Sequence, residues 1–389
     1  MKLLHLADLH IGKTVNGFSM IEEQRHVFRQ VIGYIQKERP NAVLIAGDVY
    51  DRAVPGVEAV RVFDDFLTEL SHEDVTVLLI SGNHDSPERL SYASRLLSDK
   101  RIHLCGAFDG TLRTVTLTDE YGEVNFRLLP FIKPASVREM FAEREIESYG
   151  DALAAALESA SIDYTARNVL VSHQFFTKAG ENPVRSESEL NPVGGLDAIN
   201  AELVSRFDYV ALGHLHGAQT VGYEHIRYAG SPIKYSFSEW RQEKSVSLAE
   251  LREKGGITVT KLPLTPLRDM REIKGELDIL TSEEISSQAD KEDYLRVILT
   301  DEKEIIDPMG KLRGVYPNVM VLDFENSRTS IDLGTVSADS EKAGSLSPYD
   351  LFSEFFHEVS GTVMSGEQMA IVRELLEIPL GAQETEDEG

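Results

Sequence analysis

The stretch IAGDVYDR, residues 45–52, decides how this chain folds. An apolar segment, NAVLIAG, runs straight into a loop carrying two aspartates three apart, Asp48 and Asp51. A short apolar run bounded by a turn signal is the pattern of a strand buried on both faces. Such strands belong to parallel sheets covered by helices, where the loops at the carboxyl ends gather into one crevice. Asp48 and Asp51 therefore fall where chemistry is done in such folds, unless they only stabilise a polar turn.

The same transition recurs outward from this point. KLLHLAD leads to Asp8-x-His10, and VTVLLISGNHD ends on Gly82-Asn83-His84-Asp85. NVLVSH ends on His173, and YVALGHLH on His214-x-His216. Between the first two strands, IEEQRHVFRQVIGYIQKER is amphipathic, with Phe28, Val31, Ile32 and Ile35 on one face and Pro40 closing it. Further helices are predicted from Pro55, from Pro87, and between Pro134 and Ala160. Strands alternating with helices define an α/β layered fold. Later, YEHIRYAG, KSVSLAEL and GITVTKLPL run as strands with no helices between them. Parallel strands first and meander-like strands later predict two packed sheets with helices outside.

The polar ends of these strands bring together carboxylates, imidazoles and one carboxamide. That mixture suits divalent manganese, iron or zinc, whereas all-oxygen sites suit magnesium or calcium. Two aspartates, four histidines and an asparagine are too many ligands for one ordinary ion and about right for two. A pair of cations needs a ligand that bridges them, and a carboxylate has the two oxygens to do so. With only two carboxylates the loaded site stays positive and attracts phosphate oxygens. A lone histidine at a strand end is usually structural; five clusters in succession carry the argument. His5, among apolar neighbours within a strand, reads as a core histidine, and His26, His225 and His357 receive no role.

Bulk properties exclude several alternatives. No apolar run approaches the ~20 residues of a membrane-spanning helix. The opening MKLLHLADLH is too short an apolar stretch for a signal peptide and reads as a first strand. One cysteine, Cys105, rules out an intrachain disulfide framework and fits a reducing cytoplasm. The net charge of −26 argues against a broad basic face for nucleic acid. Attraction to a polyphosphate chain would have to be local, supplied by bound cations or a partner.

The texture changes near Pro266. Residues 267–326 read as a small α+β unit with strands YLRVILT and NVMVLDF. Residues 327–347 are rich in Ser, Thr, Asp and Gly and read as a linker. Two short helices are expected within 348–380. The first is capped by Ser347 with Pro348 at its first position, and the second opens on a Ser365–Gln368 capping box. The acidic tail, 381–389, is expected to be disordered. The first helix carries an apolar stripe of Leu351, Phe352, Phe355, Phe356 and Val359, and the second one of Met369, Val372, Leu375 and Leu376. Helices this short cannot bury such stripes alone, so they fold back or dock on another protein's helices.

The five blocks, D-x-H, G-D-x-x-D, G-N-H-D, a single H and G-H-x-H, resemble the calcineurin-like metallophosphoesterases. LLHLADLHIGK, GDVYDRAVP, SGNHDSPERL, VGGLDAINAELVSRFDYVALGHLHGAQ and YAGSPIKYSFSEW are similar more particularly to the SbcD family of DNA-repair nuclease subunits. The resemblance implies a four-layer αββα nuclease domain over 1–266, a capping domain over 267–326, and a C-terminal helix pair gripping a partner. It also implies two ions, manganese by analogy. One would be held by Asp8, His10 and His216, the other by Asn83, His173 and His214, with Asp48 bridging. His84 would be the general acid, Asp51 its hydrogen-bonding partner as in related phosphatases, and Arg52 a phosphate contact. Tyr235, Lys234 and Trp240 are candidates to line a DNA path.

The implied partner is an SbcC-type coiled-coil ATPase that binds the ATP, since this chain has no G-x-x-x-x-G-K-[ST] motif. The expected assembly is a homodimer within a heterotetramer, cytoplasmic and associated with the nucleoid. The expected activity is 3′-to-5′ exonuclease on duplex DNA and endonuclease on single strands, in repair, replication and recombination. The competing reading is a phosphoprotein phosphatase or cyclic-nucleotide phosphodiesterase on the same site.

Overall fold

The strand before Gly47, Ala42–Ala46, is buried along its whole length, as its unbroken apolar sequence requires. It lies parallel to Lys2–Leu6 on one side and to Thr76–Ile80 on the other. Ile102–Cys105 extends the sheet beyond Thr76–Ile80. A second six-stranded sheet is centred on Arg167–His173 and Tyr209–Gly213, again parallel. The coordinates come from a computed structural model that describes residues 1–178, 183–189, 197–326, 349, 352–353, 356–357 and 363–377.

The later strands do not form a meander of their own. Ser245–Leu251 and Ile257–Pro263 add antiparallel to the free edge of the first sheet, beside Lys2–Leu6. Tyr223–Tyr228 joins the second sheet beside Tyr209–Gly213. A parallel sheet leaves edge N–H and C=O groups without partners, and these strands cover them.

Alternate residues of each sheet meet in a common apolar layer. Leu3, Leu44 and Leu78 from the first face Phe126, Val171 and Tyr209 from the second. The outer face of the first sheet is covered by Ile21–Glu38 and Val57–His72, whose Phe28 and Phe66 rings stack with centroids 4.5 Å apart. Burying a large apolar side chain stabilises by ~1.5–3 kcal/mol. Tyr149–Ser159 packs Leu153 and Ala156 over Leu170 and Leu212 of the second sheet. The order helix, sheet, sheet, helix is the expected four-layer αββα sandwich. His5 lies in its interior, bonded to the Tyr209 hydroxyl at 2.9 Å, and burial drives its pKa down to about 3. The helix predicted from Pro87 is a single turn, Pro87–Leu90, followed by a second short one, Ser94–Ser98.

The chain divides between Arg271 and Glu272, a few residues past the change of texture at Pro266. A three-stranded sheet of Met270–Gly275, whose first two residues precede the division, Tyr294–Leu299 and Val319–Phe324 follows. Its core gathers Leu277, Leu280, Val297, Leu312, Tyr316 and Val319. The Ser365–Gln368 capping box is formed reciprocally and opens the helix Gly366–Glu377, on which Ile371 is exposed. Met369, Val372, Leu375 and Leu376 fall on this helix. The linker 327–347, Leu351, Phe355, Val359 and the tail 381–389 lie outside the described residues, and Phe352 and Phe356 are in helical turns. Among the described residues no helix is long and apolar enough to cross a membrane.

Candidate metal centre

Each predicted ligand stands at or just past the carboxyl end of a strand, as the parallel topology dictates. Asp8, His10, Asp48 and His214 all have positive φ, at 54°, 41°, 48° and 106°. Such backbone costs ~1–3 kcal/mol per residue and persists only where the surroundings over-determine it. Here the first two loops are zipped together by Asp8 N–H to Gly47 O, His10 N–H to Asp48 O and Ile11 N–H to Val49 O, at 3.1, 2.9 and 2.9 Å. Two motif glycines answer to close approach. A Cβ on Gly82 would run into Asp48, and one on Gly213 into the Ala46 carbonyl and the His173 ring.

Three overlapping sets of donor atoms result. Asp8, His10 and His216 converge, as do Asp8, Asp48 and His173, and His10, Asp48 and His84, each set within 4.8 Å. His10 Nε2 and His216 Nε2 face each other at 3.1 Å. His173 Nε2 lies 3.3 Å from Asp48 Oδ2 and 3.1 Å from Asn83 Oδ1, and His214 Nδ1 lies 3.2 Å from the same Asn83 oxygen. Asp48 Oδ2 is also 3.6 Å from His10 Nε2, so this carboxylate stands between His10 and His173. All seven predicted ligand residues are brought together.

These residues fit a pair of divalent cations. Asp8 Oδ2 is buried with no hydrogen-bond partner, a costly arrangement unless an ion completes it. His173 donates Nδ1–H to the Ala46 carbonyl at 2.7 Å, so Nε2, facing Asp48 and Asn83, is the atom it could offer an ion on losing its second proton. Electrostatics agree. Burial pushes the Asp8 carboxyl up to about 7 and His214 down to about 3. Burial would also raise Asp48, but the charged His173 ring hydrogen-bonded to it, together with His10 and His84, outweighs burial and holds Asp48 well below the usual carboxylate range.

His84 is half-buried beside the ligands, its ring edge-on to His10 with centroids 4.7 Å apart. The expected side-chain pair with Asp51 is not formed. His84 Nδ1 donates instead to the Asp51 backbone carbonyl at 2.8 Å. The Asp51 carboxylate is taken by the Lys13 ammonium at 2.8 Å and lies 3.8 Å from His10 Nδ1. A full charge at hydrogen-bond distance outcompetes an imidazole, and the loop turns the carbonyl toward the ring. Arg52 is exposed, with Nε 3.6 Å from Asp51.

The candidates for a DNA path are otherwise employed. Lys234 is held by the Trp240 carbonyl and by Asp269, both at 2.7 Å, and Trp240 lies under the Arg241 guanidinium at 4.5 Å. Tyr235 is buried and donates its hydroxyl to the Leu9 carbonyl, bracing the first loop.

Residues given no role from sequence also serve the site. Gln24 is fully buried on the first helix and donates to the His10 carbonyl at 2.8 Å. Asp85 accepts from Gly82, Val49 and Tyr50 N–H at 2.9, 3.1 and 2.9 Å, tying the second and third loops together. Its place directly after His84 was the available signal. Asp85→Ala leaves three N–H groups without their charged acceptor, so urea denaturation should show a loss of about 3 kcal/mol.

Fold and site together define a metallophosphoesterase. Residues 1–218 match the calcineurin-like phosphoesterase model, and residues 266–360 the model described as type 5 capsule protein repressor C-terminal domain. The chain is 34% identical over 325 residues to the SbcD component of nuclease SbcCD from Staphylococcus epidermidis, covering 83% of this chain and 85% of the relative. It is 29% identical over 380 residues to the Staphylococcus saprophyticus protein of the same name, covering 97% and 98%. A solved dimetal phosphatase from Danio rerio is similar at 13% identity and a TM-score of 0.39, over 68% of this chain and 99% of that one. The chain belongs to the SbcD-like nuclease subunits of the calcineurin-like phosphoesterase superfamily.

Proposed function

We propose that this chain is the nuclease component of a DNA-processing complex and hydrolyses DNA phosphodiesters at the centre around Asp48. The observation that carries the reading is that Asp48 Oδ2 lies against His10 on one side and His173 on the other, within a cluster of overlapping donor sets. Asp8, His10 and His216 would hold one ion and Asn83, His173 and His214 the other, and manganese is the metal the imidazole–carboxylate mixture and the family favour. When bound, the ions supply Lewis-acid charge at the phosphoryl oxygens and a water made nucleophilic at neutral pH.

The chain's own residues do the rest. His84 keeps Nδ1–H on the Asp51 carbonyl in either protonation state, so Nε2 carries the proton delivered to the departing sugar oxygen. Asp51 thus serves the reaction through its backbone, while its carboxylate anchors Lys13. Arg52, exposed beside it, meets a substrate phosphate.

The Staphylococcus relatives are named as components of SbcCD, which supports an SbcC-type coiled-coil ATPase as the partner. The 348–380 segment docks on it, and the partner supplies ATP hydrolysis and much of the DNA affinity that a −26 chain lacks. In this reading the chain works as a homodimer within a heterotetramer, in the cytoplasm on the nucleoid. It trims duplex ends 3′ to 5′, cuts single strands and opens hairpins. A phosphoprotein phosphatase is disfavoured by the absence of the Asp51–His84 side-chain pair.

Incubation of end-labelled duplex and hairpin DNA with Mn²⁺, ATP and the partner tests this. Shortening of the labelled strand is expected, and it should stop when EDTA is added. Intact DNA together with rapid release of phosphate from a phosphoserine peptide would reverse the assignment.

A further inference from the structure

Two buried charges, Glu239 and Lys244, have no part in the chemistry above. Glu239 is fully buried, and its Oε2 accepts from Lys244 Nζ at 2.6 Å. Desolvating both charges costs several kcal/mol per ion, which their attraction only partly recovers, so such a pair is weak evidence for stability alone. The other oxygen, Oε1, accepts from the Ser188 hydroxyl at 2.7 Å. That same hydroxyl lies 2.7 Å from His216 Nδ1. Glu239 Oε1 itself is 3.4 Å from His216 Nδ1.

The donor accounting fixes the direction of this chain of bonds. A carboxylate only accepts, so the single Ser188 proton goes to Glu239. The hydroxyl must then accept from His216, which places the imidazole proton on Nδ1. Nε2 is left as the lone pair that faces His10 Nε2 at 3.1 Å, within the Asp8–His10–His216 set. The His216 backbone is pinned as well, its N–H to Glu189 Oε1 at 2.7 Å and its carbonyl to Lys244 Nζ at 2.9 Å.

We infer that Ser188 and Glu239 are positioning residues for the first ion, a serine-relayed carboxylate that holds His216 in its metal-binding tautomer and orientation. The inference rests on the dimetal reading above. Partners of this kind typically change metal affinity by ~10–100-fold when removed. Neither residue belongs to the five sequence blocks, and they come from two separate segments, one before His216 and one after it. Among the described residues the second ion has no such relay. His173 is fixed by a backbone carbonyl instead, so the two sites should respond differently to loss of the serine.

The test is calorimetric titration of the full chain with Mn²⁺. Ser188→Ala removes the relay but leaves the Glu239–Lys244 pair intact, so it avoids the unfolding risk of replacing Glu239. Wild type should bind two ions. Ser188→Ala should keep one site unchanged and weaken the other by ~10–100-fold, and Ser188→Thr, which restores the hydroxyl, should recover it. Two sites of wild-type affinity in Ser188→Ala, or equal weakening of both, would overturn the inference while sparing the dimetal centre. Failure of the wild type to bind Mn²⁺ would overturn both.

Discussion

Asp48→Ala should cost at least ~10³-fold in the rate of phosphodiester hydrolysis, because it removes the carboxylate that lies between His10 and His173, a ligand from each proposed ion position. Asp48 Oδ2 lies 3.6 Å from His10 Nε2 and 3.3 Å from His173 Nε2, so its loss strips a negative ligand from each position at once. It does a second job within the protein, accepting the His84 backbone N–H on Oδ1 at 2.9 Å. The variant should therefore lose bound metal, measured by elemental analysis after dialysis, as well as rate. An Asp48→Ala protein that retained two equivalents and near-normal activity would remove the bridge from the account.

His84→Ala should behave differently. Its imidazole sits beside the ligands, and its Nδ1 proton is committed to the Asp51 carbonyl. Removing it should lower kcat by ~10²–10⁴-fold through loss of the general acid, with metal content unchanged. A substrate whose leaving group needs no protonation, such as a p-nitrophenyl ester, should recover most of the loss, because p-nitrophenolate departs without a proton. Undiminished cleavage of DNA by the variant would refute the acid role. An equal loss on both substrates would place His84 in charge stabilisation instead.

The parts of this site legible in the sequence are those that the strand-end rule delivers. Asp8, His10, Asp48, Asn83, His173, His214 and His216 each follow an apolar run, and parallel topology brings such ends together whatever the packing details. The same rule places Asp51 near His84 but cannot say which atom of Asp51 meets the ring. That depends on a competition between Lys13 and His84 for one carboxylate, decided by the local turn and invisible in spacing. Tyr235 departs from its expected place for a related reason. An aromatic after the last block is equally consistent with a substrate path and with a buried brace, and only its bond to the Leu9 carbonyl separates them. Ser188, Gln24 and Glu239 leave no local signal, since the bonds that tie them to the site, Ser188 to His216, Glu239 to Ser188 and Gln24 to His10, span 14 or more positions and are met only in the folded layers.

The fold shows a parallel division. Central strands are legible because burial on both faces leaves an unbroken apolar run, as in Ala42–Ala46 and Tyr209–Gly213. The destination of the later strands is not. Ser245–Leu251 could have paired with either sheet by its sequence, and its antiparallel register against Lys2–Leu6 is set by which edge remained open.

The most direct test of the central claim is anomalous diffraction from crystals grown with Mn²⁺. The account predicts two peaks separated by ~3.5–4 Å with the Asp48 carboxylate between them. One should be flanked by Asp8, His10 and His216, the other by Asn83, His173 and His214. A single peak, or two peaks that do not share Asp48, would contradict it.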